Sequence, residues 1–442
     1  MKAFAKQLLH RERLTQQRDL FSRRVFNNLQ QQSLSGGAGC CKSRGRCCKT
    51  TPTVCHSLEQ DDDGYIVHVD QPTCWNALIL HYKSQIDALL HSPSIQNIFE
   101  KLESVTNTVH RAILNVLTEG VSRLQTFDLV LYQQMQNIAA LLNLTPLQIL
   151  LLQFMYEAHT FCTSVVIKTP NGTVAHGRTM DWDLPELKAL SIPVSVYVNQ
   201  KKVGVSMQWL GCVGMFTIMR IQGYSISINY RQFSIEDEFN NAIKTIQHRL
   251  GWLDAPTQSI NYLLGYGNAN VVDTLLYHFD KLTLTYLAKT LNFLYGSIDA
   301  TPCTFLLRKI LMEESSYNQA LSRLKTTPLF TKVYFTIAGI NTGEIIARSA
   351  LEVDNPSPKQ ITLSTPFIVQ PNMDWWQKKG VDVMDSKERI CVMEKVFQSG
   401  VSIEKMWKAM KKNGKVEICN DITIYSTLFI PSTGKFAYTI GN

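Results

Sequence analysis

The chain has 442 residues and a formal charge of +8 at pH 7, and that charge is unevenly spread. Residues 1–50 hold eleven Lys or Arg against Glu12 and Asp19, which leaves the rest within one charge of neutral. The balance argues against a nucleic-acid-binding body, and no apolar run of about 18 residues offers a membrane-spanning helix.

Residues 1–55 read as a basic, Cys-rich, disordered tail. Its first 34 residues scatter Leu8, Leu9, Leu14, Leu20, Phe21, Val25 and Leu29 among Arg and Gln. That pattern admits a membrane-surface or targeting helix, or a solvated extension. No apolar core of a secretory signal occurs in residues 1–35, so no leader is expected. Cys40, Cys41, Cys47 and Cys48 lie among basic residues without a C-x-x-C pair. An unstructured tail fits them better than zinc or acylation. Neither metal nor cofactor is expected, and eleven dispersed cysteines do not read as a disulfide framework.

Residues 56–161 are predicted to be mostly helical. Gly64–Asp70 alternates like a strand. Ile95, Ile98, Leu102, Val105, Val109, Ala112, Ile113 and Val116 then recur at helical spacing. Thr145-Pro146-Leu147-Gln148 is a capping box with Pro at the first helical position. It opens a buried helix toward Tyr156 and Glu157.

Phe161-Cys162-Thr163-Ser164-Val165-Val166 is strand-like, and Pro170-Asn171-Gly172 signals a hairpin. With Asn171 and Gly172 as the two turn residues, Cys162 faces Asp181. Arg178 lies three residues from Asp181, so an ideal strand sends the two to opposite faces. Both then reach Cys162 only if the strand bulges, near Gly177, or ends near Met180. Four further strands, 193–198, 203–209, 213–219 and 224–230, suggest an antiparallel meander. Residues 235–297 read as a helical insertion.

The phrase from Cys162 to Asp181, a Cys-Thr-Ser start followed by His176-Gly177-Arg178-Thr179-Met180-Asp181, resembles the opening of the catalytic subunit of acid ceramidase. It is also similar to N-acylethanolamine acid amidase. Both are N-terminal-nucleophile hydrolases, in the branch that includes bile-salt hydrolase and penicillin V acylase. Met135–Ala140, Phe154–Glu157, Val333–Glu344, Gln370–Asp374 and Asn420–Thr427 extend the resemblance over most of residues 62–442, the insertion apart.

The resemblance implies an α+β fold, an αββα sandwich with a mainly helical N-terminal subunit (56–161) and a catalytic subunit (162–442). It implies cleavage between Phe161 and Cys162. A thiol needs a base or a lowered pKa to act near neutrality, and an α-amine of pKa roughly 7.7–8.0 can serve. Cleavage creates that amine on the residue that carries the thiol. By the same resemblance Asp181 holds the amine and Arg178 supports the thiol. Asn341 corresponds to an oxyanion-binding Asn, and Arg348 to an Arg in the following strand. Where ceramidase has Asn-Glu-Arg, this chain has Asn229-Tyr230-Arg231. Penicillin V acylase has a Tyr there whose backbone N–H aids the oxyanion hole, which places Tyr230 in the site. His159 and His176 are expected to be structural.

The implied reaction is hydrolysis of a fatty-acyl lipid amide, ceramide or N-acylethanolamine, by a protein whose two cleaved subunits stay together. The relatives are lysosomal or secreted. Three alternatives stand beside it. One is the same chemistry on an N-acyl amino acid or bile-salt-like conjugate. Another is a catalytically silent binding protein. The last is a tail that docks to a membrane surface or partner.

Overall fold

The computed structural model describes residues 58–103, 120–122, 124–154, 161–231, 301–349, 353–354, 358–376, 385–411 and 418–441. The tail, His159 and the 235–297 insertion lie outside them.

Before Cys162 the chain forms a small hairpin, β1 (Gln60–Asp61) and β2 (Gly64–His68), and then helices. These are α1 (Asn76–His81), α2 (Lys83–Leu90), α3 (Pro93–Glu103), α4 (Leu124–Phe127), α5 (Leu129–Leu142) and α6 (Pro146–Phe154). Helix α5 starts where Asp128 accepts from the Leu131 N–H, and it ends at Asn143 in the left-handed region, φ 56°. Helix α6 starts on the predicted box. Thr145 Oγ1 accepts from the Gln148 N–H at 3.2 Å, and Gln148 Oε1 accepts from the Thr145 N–H at 2.8 Å. No single described helix is long and apolar enough to cross a membrane. Helices α5 and α6 pass that test only together, and they bend by 112°.

The remainder comprises β3 (Phe161–Lys168), β4 (Val174–Asp181), α7 (Glu186–Leu190), β5 (Ser191–Val198), β6 (Lys201–Trp209), β7 (Thr217–Arg220) and β8 (Tyr224–Tyr230). After the insertion come α8 (Cys303–Glu313), α9 (Tyr317–Thr326), β9 (Val333–Gly339), β10 (Gly343–Arg348), β11 (Lys359–Gln360) and β12 (Phe367–Gln370). The chain closes with α10 (Ser386–Phe397), α11 (Ile403–Ala409), β13 (Thr423–Ile430) and β14 (Lys435–Ile440).

One sheet has nine strands in the order β1-β2-β5-β6-β7-β8-β9-β10-β11, and the other has five, β12-β3-β4-β13-β14. Strands β5 to β8 run as the predicted meander. Strand β2 joins β5 in parallel, so residues before Cys162 extend a sheet built mostly by residues after it. Buried polar groups fasten the same junction. Arg308 donates to Val69 O (2.7 Å), Gln134 Oε1 (2.7 Å) and Val213 O (3.0 Å). Gln153 accepts from the Val213 N–H at 2.7 Å and donates to Gly211 O at 2.9 Å.

Strands β3 and β4 pack on β8 and β9, so the sheets lie face to face. Helices α8 and α9 cover the larger sheet, and α10 and α11 cover the smaller one. This is the αββα order, and its cause is alternation along the strands. Val165, Ile167 and Ala175 point to the α10 and α11 side, among Met393, Phe397, Met406 and Met410. Ser164, His176 and Arg178 point to the other sheet. Gly177 faces the helices. A Cβ there would meet Met410 Sδ at 2.3 Å, so its missing side chain lets the end of α11 approach.

Candidate active site

The hairpin that carries the motif is one residue out of step with the sequence expectation. Its loop has three residues, Pro170 to Gly172. The Thr169 N–H donates to Thr173 O (2.9 Å) and the Gly172 N–H to Thr169 O (2.8 Å). Gly172 adopts φ +87°, the left-handed position that lengthens a two-residue turn by one. Cys162 therefore faces Met180, and Asp181 faces Phe161. No bulge interrupts the β3–β4 ladder, so Arg178 and Asp181 do occupy opposite faces. Arg178 reaches the thiol of Cys162, and Asp181 lies on the opposite face, near Arg389 and Thr423.

On the thiol side, Arg178 Nη2 lies 3.1 Å from Cys162 Sγ and donates to Ile228 O at 3.0 Å. Its Nη1 donates to Thr217 Oγ1 (2.7 Å) and Tyr425 OH (2.5 Å). Cys162 is fully buried. Cys212 shows what burial alone does to a thiol, since it is pushed up to about 12. Cys162 has a guanidinium donor within hydrogen-bonding distance of its sulfur.

On the backbone side two residues appear that sequence reasoning did not assign. The Cys162 N–H donates to Asn372 Oδ1 at 2.9 Å, and Arg389 Nη1 donates to Cys162 O at 2.9 Å. Arg389 also reaches Thr163 Oγ1 (2.8 Å) and Asn372 Oδ1 (3.1 Å), and its Nη1 stands 4.0 Å from Asp181 Oδ2. Asn372 Nδ2 donates to Tyr230 O at 2.8 Å. Two donors on one atom and an acceptor on the other fix how this carboxamide points. Asp181 accepts from Thr423 Oγ1 at 2.6 Å. Burial pushes its carboxyl above the usual range, against the pull of Arg389 and the hydroxyls of Thr423 and Thr179.

The loop carrying Asn372 is anchored by a forked ion pair, Arg231 Nε and Nη2 to Asp374 at 2.7 and 2.9 Å. Arg231 also pairs with Asp354, and Tyr334 OH donates to Asp374 at 2.6 Å. The Asn229-Tyr230-Arg231 run thus supports Asn372 twice, by the Tyr230 carbonyl and by Arg231.

Asn341 and Arg348 are not brought to Cys162. Asn341 is exposed in the tight turn between β9 and β10, where the Gly339 N–H donates to Thr342 O. Its carbonyl accepts from Lys168 Nζ at 3.0 Å. Lys168 is six residues along β3 from Cys162, roughly 20 Å at strand spacing. Arg348 donates to Leu324 O and, at 2.8 Å, to Thr327 O. It caps the C-terminal end of α9, where free carbonyls and the helix dipole favour a cation. The Asn-Thr-Gly phrase marks a turn, and the helix-capping role of Arg348 depends on contacts distant in sequence.

His176 bridges Ser225 and Ser227 at 3.0 and 2.9 Å. Burial first, then Arg178, pushes it down to about 3, so it is neutral. Cys74, Cys212 and Cys391 are free thiols. Among the described residues no three His, Cys, Asp or Glu side chains gather as a metal site.

Comparison with known proteins follows this geometry. The chain is 22% identical over 395 residues to N-acylethanolamine-hydrolyzing acid amidase of Caenorhabditis elegans, covering 86% of this chain and 92% of that protein. It is 24% identical over 397 residues to acid ceramidase of Pan troglodytes, covering 84% of each. The chain is thus similar over most of its length to acid ceramidases and N-acylethanolamine-hydrolyzing acid amidases. No family model matches it. The solved structure of the Caenorhabditis elegans amidase ortholog superposes with a TM-score of 0.45 at 20% identity, over 64% of this chain and all of that one. The stretch shared with these two relatives spans both sides of the Phe161–Cys162 bond.

Proposed function

We propose that this chain cuts itself between Phe161 and Cys162 and then hydrolyses the amide of a fatty-acyl lipid, ceramide or an N-acylethanolamine, to fatty acid and amine. The observation that carries the reading is the convergence on one residue. Arg178 holds the sulfur of Cys162, Asn372 its nitrogen and Arg389 its carbonyl oxygen. A buried cysteine of purely structural use needs none of these. The names of the two relatives supply the substrate class.

In the cut, the thiolate attacks the Phe161 carbonyl carbon, the C–N bond breaks, and the leaving nitrogen takes a proton. Water then hydrolyses the thioester, freeing the Phe161 carboxylate and the Cys162 thiol. The new α-amine inherits the hydrogen bond to Asn372 Oδ1. Asp181, across the strand on the same side as Arg389, tunes its proton. With substrate, the amine takes the thiol proton and passes it to the leaving amine, and an acyl thioester forms. Water resolves it with the amine again as base. Asn372 thus holds the nitrogen that becomes the amine, a different task from the oxyanion binding that the resemblance gave to Asn341.

The N-terminal piece stays bound through the β2–β5 ladder and the Arg308 and Gln153 bonds. The basic tail supports contact with an anionic membrane surface. Denaturing mass analysis tests the reading: pieces of 161 and 281 residues are expected, and Cys162→Ala should remain whole. An active preparation with an uncut chain overturns it. Substrate profiling separates ceramide and N-acylethanolamine from the other acyl amides.

A further inference from the structure

We propose that a one-residue bulge at Ile424 makes Thr423 and Tyr425 a pair of positioning residues, one for each face of the Cys162 site. This rests on the reading that Cys162 is the nucleophile, and adds the groups that aim its two helpers.

Strand β13 pairs regularly with β4 from Phe429 opposite His176 to Tyr425 opposite Met180. It then slips, so that Thr423 comes opposite Asp181. In an unbroken strand Thr423 and Tyr425, two residues apart, share a face. The extra residue turns them to opposite faces. Tyr425 falls between the sheets. Its hydroxyl meets Arg178 Nη1 at 2.5 Å and Thr217 Oγ1 at 3.0 Å, and its ring centroid lies 5.5 Å from the guanidinium carbon. Thr423 falls on the helix side and donates to Asp181 at 2.6 Å. Both are buried, and Ile424 is fully so.

The chemical consequence follows from geometry. A guanidinium is a planar fork, so fixing Nη1 on two hydroxyls aims Nη2 at the sulfur. Donors oppose the upward push of burial on a carboxyl, and Thr423 is the shortest of those around Asp181. Among the described residues, the ionisable and charged groups on the thiol side are Arg178 and His176 of β4 and Tyr425 of β13. On the other side they are Asp181, Arg389 from α10 and Cys419, which meets Ser426 of β13. One irregularity in one strand thus serves both helpers; the bulge expected near Gly177 does not occur in β4, and the irregularity belongs to β13.

The test uses full-length Tyr425→Phe, Thr423→Val and Thr423→Ser chains made by cell-free synthesis. Self-cleavage is timed by denaturing mass analysis from about pH 4 to about pH 9, with melting curves as the fold control. Tyr425→Phe keeps the ring and loses the hydroxyl. It should raise the thiol-governed apparent pKa by about one unit or less and leave the carboxylate-governed value in place. Thr423→Val should raise the carboxylate-governed value only, and Thr423→Ser should follow the unaltered chain. Folded variants whose rates drop with an unmoved pH profile reduce both residues to packing and overturn the proposal. So does Thr423→Ser behaving like Thr423→Val. If Tyr425→Phe melts below the assay temperature, the two Thr423 variants decide alone. Failure of the underlying reading looks different: an unaltered chain that is never cut, or a Cys162→Ala chain that is.

Discussion

The two ends of β3 carry one asparagine contact each, and they differ in what the rest of the chain brings to them. At the Lys168 end, Asn341 offers only its backbone carbonyl, from an exposed turn. At the Cys162 end, Asn372 offers its carboxamide, buried and held by three partners from β3, β8 and α10. A side chain acts on a reacting bond only where its own atoms are fixed beside it, and fixation here comes from segments distant in sequence. An Asn in a turn phrase lacks that support.

The largest expected effect separates these two residues. Asn372→Ala should slow self-cleavage and hydrolysis by about 10²–10³, the usual loss for one preorganised amide. Time courses of the cut chain should show it in a protein that still folds.

Arg348 gives the next contrast. Arg348→Met should lower stability by about 1–3 kcal/mol, because two buried carbonyls lose their donor. The rate per folded molecule should stay the same. Urea unfolding combined with active-site counting distinguishes the two, and a selective loss of rate would return Arg348 to the site.

His176 makes a pH contrast on the same strand. Its folded value of about 3 lies below the ordinary 6.5 of an imidazole, so the unfolded chain binds the proton more readily between those values. Stability from this group is complete above about pH 6.5 and declines as pH falls toward about 3. Asp181, raised by burial, acts in the opposite sense: its contribution is present at low pH and fades as pH rises through its folded value. Melting temperatures at several pH values should therefore fall less steeply on acidification in His176→Gln than in the unaltered chain. Equal slopes would remove His176 from this account.

The smallest effect is expected at the tip of the β9–β10 turn. Asn341→Ala should change stability by no more than about 0.5 kcal/mol, with an unaltered cleavage rate. A clear loss of rate would erase the difference between the two ends of β3.

Much of this was legible in the residues. The capping box at Thr145, the meander from 191 to 230 and the strand character around Cys162 are local patterns, and local backbone preferences produce them. The Arg178-to-Asp181 spacing already said that the two must lie on opposite faces. What it did not say was that each face of Cys162 has its own use. The hairpin register shifted by one because Gly172 could take a left-handed conformation, a choice that depends on loop closure. Asn372 stood in a recognisable phrase without a role, and Arg389 in no phrase at all.

The sequence by itself determined the strands and helices around Cys162, since periodicity and short spacings are properties of neighbours along the chain, while the resemblance singled out Cys162, Arg178 and Asp181 as candidates. Only the tertiary structure decided which asparagine and which arginine meet Cys162. Those contacts join residues more than two hundred positions apart, and they exist because two sheets and a helix layer pack at a fixed distance.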